Sequence, residues 1–310
     1  MNEKATYVDR LIASARDART LLCVGIDPVP ERFPRELRDA DEFVTIARTP
    51  ELVNALLDSV ERDGIRPAAI KPNLGYFSRY DRPRALELTT DQRYVGSIAL
   101  ARSLNLIARR LPSVPVILDS KRGDIARSSD NYAVEAFDRW NADAVTVSPW
   151  MGDDSVRPFT ARATARGAGV YVLARTSNPG AARFQDLSTA DGPVYRQILG
   201  AILRWATEYP GTGAVVGATA ETELRDALSL LSSDPIPLLI PGVGGQGGTP
   251  HTVVHAIEST GFPPELVRVN ASRAVLSPWI SDHRYADTDW REAIRSAFSE
   301  LHGALRWKNA

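Results

Sequence analysis

A single cysteine, Cys23, among 310 residues excludes an internal disulfide framework and leaves no cysteine–histidine metal spacing. It sits in the apolar run Leu21-Leu22-Cys23-Val24, where a buried, inert thiol in a reducing compartment is expected. Neither sign of charge is in excess: 37 Lys plus Arg face 38 Asp plus Glu, so there is no basic stripe to track a nucleic-acid backbone, and a small-molecule partner is favoured. No stretch is long and apolar enough to cross a bilayer. The N-terminal region carries Glu3, Lys4, Asp9, Arg10, Arg16 and Asp17 without an apolar core segment, so a cytoplasmic chain without membrane contact is expected. Fixed-period repeats, low-complexity segments and a G-x-S-x-G elbow are also missing. His251 and His255 are four apart in a helical pattern, but Thr252 stands where a zinc helix needs its glutamate, which favours a polar helix face and no metal.

Short β-branched runs recur at Leu21–Ile26, Ala68–Lys71, Val114–Leu118, Ala144–Val147, Gly169–Leu173, Ala214–Val216, Leu238–Ile240 and Val267–Val269. They are near-continuously apolar, as suits parallel strands buried on both faces. Helical patterns separate them, among them Val53, Leu56, Leu57 and Val60, announced by Thr49 as N-cap and Pro50 at the first helical position. Strand–helix alternation of this kind predicts an α/β fold, a (β/α)8 TIM barrel, with a doubly wound open sheet as the alternative. Such barrels commonly reach about 250 residues around one core. The whole chain therefore reads as a single domain, with an N-terminal helix over about 5–18 and a C-terminal helix over about 289–306. Two longer connections, Val29–Arg48 and Asn178–Pro193, read as lids or surface insertions.

Chemistry in a barrel sits at the C-terminal ends of strands. There, Asp27 closes the first strand, Lys71 the second, and the third runs into Asp119-Ser120-Lys121-Arg122-Gly123-Asp124. Extended backbone would send Asp119 and Lys121 to the same side, with Gly123 permitting a turn that redirects Asp124. In isolation such a string reads as a strand end dissolving into a solvated loop. Its position after a buried third strand, beside Lys71, favours a site.

The glycine run Pro241-Gly242-Val243-Gly244-Gly245-Gln246-Gly247-Gly248 follows the seventh strand and leads into Thr249-Pro250, a helix start. A dinucleotide fingerprint would open the first βαβ unit, whereas this run comes near the end of the chain, so a phosphate loop is favoured over a nicotinamide site. The eighth strand ends Asn270-Ala271-Ser272-Arg273, and Gln246 with Arg273 would share the dianion where barrels of this kind usually bind phosphate. The fifth strand ends Thr176-Ser177-Asn178-Pro179-Gly180, which reads as an Asn-Pro turn or as a polar edge for a planar ligand.

These segments, together with Gly25-Ile26-Asp27, Ile70-Lys71-Pro72-Asn73 and Asp124-Ile125, resemble the orotidine 5′-phosphate decarboxylase family, and its longer bacterial branch more than its compact archaeal one. The resemblance spans about residues 20 to 280. It implies decarboxylation of orotidine 5′-phosphate to UMP, no cofactor, and a homodimer. It further implies a charge network of Lys71, Asp119, Lys121 and Asp124, with Lys121 as proton donor and Asp124 reaching into the neighbouring subunit's site. Asp27 and Lys71 match ribose-binding positions, Ser177 a pyrimidine contact, Pro241 and Val243 glycine-loop contacts, and Gln246 and Arg273 the phosphate ligands. Ser128 matches a threonine that some members use from the partner chain. Sugar-phosphate decarboxylases and aldolases of the same suprafamily carry Glu-x-Lys-x-x-Asp and use Mg2+, so Asp119 in first position and the Thr176-Ser177-Asn178 cluster favour orotidylate.

Overall fold

The computed structural model describes residues 5–244 and 247–308. Its main sheet comprises β1 (Leu22–Ile26), β2 (Ala69–Pro72), β3 (Ile117–Arg122), β4 (Ala144–Val147), β5 (Gly169–Arg175), β6 (Thr212–Val216), β7 (Leu238–Pro241) and β8 (Val267–Ala271). The hydrogen-bonded order is β2-β1-β8-β7-β6-β5-β4-β3. The two ends of that series meet, since Ile70 bridges Val116 and Asn73 bridges Asp119 in parallel. The Ile70 N–H also donates to the Pro115 carbonyl at 3.0 Å. The sheet is therefore a closed (β/α)8 barrel, as the alternation of apolar runs and helices predicts. Closure removes the edges that an open sheet would expose.

The strands are apolar because helices cover them outside and side chains fill them inside; β1, β4, β6 and β8 are buried at every position. One end of the barrel is sealed. Helix Tyr7–Ala18, started by a Thr6/Asp9 capping box, sends the Tyr7 hydroxyl to Tyr171 at 3.0 Å. Fully buried Arg268 donates to the carbonyls of Ala68 at 3.0 Å, Glu265 at 3.0 Å and Val267 at 2.7 Å, and to that of Leu11. Cys23 lies in the interior, its thiol pushed up to about 12 by burial, which agrees with an inert buried thiol.

Two local expectations are corrected. Thr49 does not cap its helix: its hydroxyl donates to the Ile46 carbonyl at 2.7 Å, because helix Glu42–Ala47 runs almost directly into Thr49–Asp63 and Arg48 occupies the cap position. The third strand begins three residues later than its apolar run and continues to Arg122, so Asp119, Lys121 and Arg122 lie within the strand. Neither long connection is loose. The first buries Phe33, Leu37 and Ile46 against the barrel. The second is tied down where Arg175 Nε and Nη2 meet the Asp186 carboxylate at 2.7 and 3.0 Å.

Candidate active site

At the open end, the strand termini surround a cavity of about 530 Å³ lined by Asp27, Lys71, Asp119, Lys121, Ser177, Pro241, Val243 and Arg273, all singled out by sequence. Lys71 comes from β2, and Asn73, just past the strand, caps the next helix by accepting from the Gly75 N–H at 3.1 Å. Asp119 comes from β3 and is 6% exposed. Its carboxylate is the hub of the site. Lys71 Nζ donates to Oδ2 at 2.5 Å, Lys121 Nζ to Oδ1 at 2.6 Å, and the Thr146 hydroxyl to Oδ1 at 2.9 Å.

Burial alone would pull Lys71 down, but Asp119 and Asp27 outweigh it and hold the ammonium above the ordinary lysine range. Burial would likewise push Asp119 up, and the two lysines overcome it, holding the carboxyl well below the usual carboxylate range. The pair is ionised across ordinary pH.

Asp119 and Lys121 share a side for a reason other than an extended strand. Opposite β4, the register steps from Leu118↔Val145 to Arg122↔Val147, and Lys121 sits at φ 48°. A bulge, not a flat strand, aims Lys121. The redirection after it falls at Lys121 and Ala126 (φ 46°), not at Gly123, whose φ is not in the left-handed region. Asp124 does not line the cavity; its carboxylate accepts from the Ile125 N–H at 2.8 Å outside the rim.

Across the cavity, Ser177 is fixed from behind. Thr219 donates to its carbonyl at 2.8 Å, and a Cβ on Gly217 would lie 2.7 Å from the Ser177 Cα, so only glycine admits this approach. The glycine run turns at positive φ through Gly242, Gly244 and Gly247, with Gly244 N–H donating to the Gly248 carbonyl at 2.9 Å. Gln246 lies outside the described residues. Arg273 opens the short helix Arg273–Leu276 on the same cavity wall.

Arg32, Tyr76 and Thr146 line the cavity without having been singled out by sequence, and Asn270, quoted there only as part of the eighth-strand segment, lines it too. Asp27 Oδ1 and Asn270 Oδ1 are buried acceptors without a hydrogen-bond partner. Such atoms on a cavity wall suit the hydroxyls of a ligand. Among the described residues the walls set Arg32, Lys71, Lys121 and Arg273 against Asp27 and Asp119, over a floor of Leu173, Val215 and Leu239. The excess of cations suits a polyanionic ligand. No group of three or more potential metal ligands occurs among the described residues, and His255 Nδ1 lies 3.0 Å from Arg225 Nη2 on a polar helix face.

The model of the orotidine 5′-phosphate decarboxylase / HUMPS family matches residues 20–259. The chain belongs to this family. Orotidine 5′-phosphate decarboxylase of Polaromonas naphthalenivorans is 38% identical over 296 residues, covering 94% of each chain. The protein of that name from Bordetella pertussis is 36% identical over 303 residues, covering 97% of this chain and 98% of its own. Among solved structures, Leishmania donovani OMP decarboxylase superposes with a TM-score of 0.69 at 27% identity, covering 96% of this chain and 98% of that one. The family model thus covers seven of the eight strands, including the strand ends that carry the lysines and Asp119, and the relatives align over nearly the whole chain. No helix among the described residues is long and apolar enough to cross a membrane.

Proposed function

We propose that this chain converts orotidine 5′-phosphate to UMP and CO2. The observation that carries the reading is the shared carboxylate: Lys71 and Lys121 bind opposite oxygens of Asp119 at 2.5 and 2.6 Å, in the same cavity as Arg273. Family membership and near full-length relatives named orotidine 5′-phosphate decarboxylase support it. In this reading Ser177 meets the pyrimidine, and Asp27 and Lys71 meet the ribose. Pro241 and Val243 make the glycine-loop contacts, and Gln246 with Arg273 holds the phosphate.

Breaking the bond from C6 to the carboxylate leaves its electron pair on C6 as CO2 departs, and no adjacent π-system absorbs that charge. Lys121 stabilises the developing carbanion and then delivers a proton to C6, regaining one from solvent. Asp119, fixed by Lys71, holds Lys121 at 2.6 Å and so restricts where that proton can go. Phosphate binding, remote from C6, can order the charges for the reaction.

The reading includes a homodimer in which the partner's Asp124 completes the network beside Lys121. It is supported by an apolar rim next to Asp124: Ile125 is 51% exposed, Trp150 75% and Met151 43%. Ser128, in the helix Ala126–Val134 that follows Asp124, belongs with it on that side.

Loss of orotidylate absorbance with formation of UMP, measured with and without EDTA, tests the function. Turnover insensitive to EDTA is expected, and Lys121→Ala should lose at least about a thousandfold in kcat while remaining folded. No UMP from the wild-type protein would reject the activity, and substantial turnover by Lys121→Ala would reject Lys121 as donor.

A further inference from the structure

We propose that Thr146 is a positioning residue for this chemistry, setting Lys121 and Asp119 through its hydroxyl without itself reacting. The inference rests on the decarboxylase reading above. Thr146 sits within β4, 1% exposed, on the cavity wall beneath the charge network. Its hydroxyl donates to Asp119 Oδ1 at 2.9 Å and accepts from the backbone N–H groups of Ser120 and Lys121, both at 3.0 Å. A hydroxyl has one proton and two lone pairs, and here all three are used.

The bulge explains why this matters. Between its registered pairs β3 advances four residues while β4 advances two, so Ser120 and Lys121 have no ladder carbonyls opposite them. Without another acceptor both N–H groups would be unsatisfied in a part-buried wall. Thr146 supplies that acceptor, and the Ser120 hydroxyl adds a bond to the Thr146 carbonyl at 3.4 Å. The same oxygen therefore fixes the backbone that carries the proton donor, including its left-handed φ of 48°, and the carboxylate that aims it. One atom sets both partners of the ion pair.

Valine at this position keeps the β-branched shape that the strand requires but removes the acceptor and the donor together. Because a misplacement of about 1 Å can cost about a hundredfold in rate, Thr146→Val is expected to lower kcat about a hundredfold. KM should stay within about threefold, since Ser177, Asp27 and Arg273 are untouched. Thr146→Ser retains the hydroxyl and should recover kcat to within about fivefold of wild type.

Steady-state turnover of orotidine 5′-phosphate by the three proteins, with a thermal melt of each, decides the matter. Wild type that fails to decarboxylate overturns the functional reading and this inference with it. Active wild type beside a folded Thr146→Val of undiminished kcat overturns the role of Thr146 alone, as does a Thr146→Ser variant as slow as the valine protein. Should Thr146→Val not fold, the serine variant is decisive, with near-wild-type kcat supporting the hydroxyl's role and a large loss overturning it.

Discussion

Asp119 shows how one side chain can be expensive to bury and still indispensable. A carboxylate at 6% exposure is tolerated only because two ammonium groups and a hydroxyl reach it. Removing it leaves Lys71, 3% exposed, without its nearest counter-charge. Asp119→Ala is therefore expected to lose about 3–5 kcal/mol of stability at neutral pH, besides its activity. The sign of the pH dependence follows from the two shifts. The Asp119 carboxyl is held below its ordinary value, so its contribution is full above about pH 4 and is lost as pH falls through the folded-state value. The Lys71 ammonium is held above its own, so its contribution is full below about pH 10 and is lost only on further rise. Urea denaturation of wild type and Asp119→Ala should show a constant gap between these limits that narrows in acid. A gap of the same size at about pH 2, or none at neutrality, would mean the pair does not stabilise the fold.

At the scale of elements, the β5 end and its following connection behave as one unit. Arg175, on the strand, grips Asp186 with two nitrogens, and the Thr176 N–H donates to Gln185 at 2.8 Å, so the segment beyond Ser177 folds back onto the strand that positions it. Asp186→Ala is expected to raise KM for orotidylate roughly tenfold, the equivalent of one charge-assisted hydrogen bond, and to expose the connection to limited proteolysis. An unchanged KM with an unchanged cleavage pattern would show the clamp to be idle. The sequence made the strands legible because barrel strands are buried on both faces and so read as apolar runs, and it made Lys71, Asp119 and Lys121 legible because charge at such a strand end is unusual. Thr146 was not legible: in Ala-Val-Thr-Val a threonine is an ordinary β-branched strand residue, and its role depends on the register of β3 against β4. The bulge itself was hidden for the same reason, since no glycine marks it. Arg32 and Tyr76 are ordinary residues in sequence until the closed barrel brings their chain segments to one wall.

At the scale of the whole molecule, the cavity draws its described residues from every strand end of one chain, yet Asp124, in the same charged string as Lys121, lies outside it. Beside it the loops after β3 and β4 present Ile125, Trp150 and Met151 to solvent, an apolar surface that a second copy would cover. If the partner's Asp124 completes each site, then a site needs Lys121 from one chain and Asp124 from the other. Lys121→Ala and Asp124→Ala homodimers would each be nearly inactive. Unfolding and refolding an equal mixture would make half of the dimers hybrid. In each hybrid the chain that retains Lys121 faces the chain that retains Asp124, so one site of its two is intact. About a quarter of wild-type activity should return, with the KM of wild type, because the restored sites are whole. Sites confined to single chains would recover nothing on mixing, whatever the oligomeric state. Trp150→Glu, which sets a charge on the rim without touching the cavity, should weaken the dimer in sedimentation and reduce activity in proportion to the dissociated fraction.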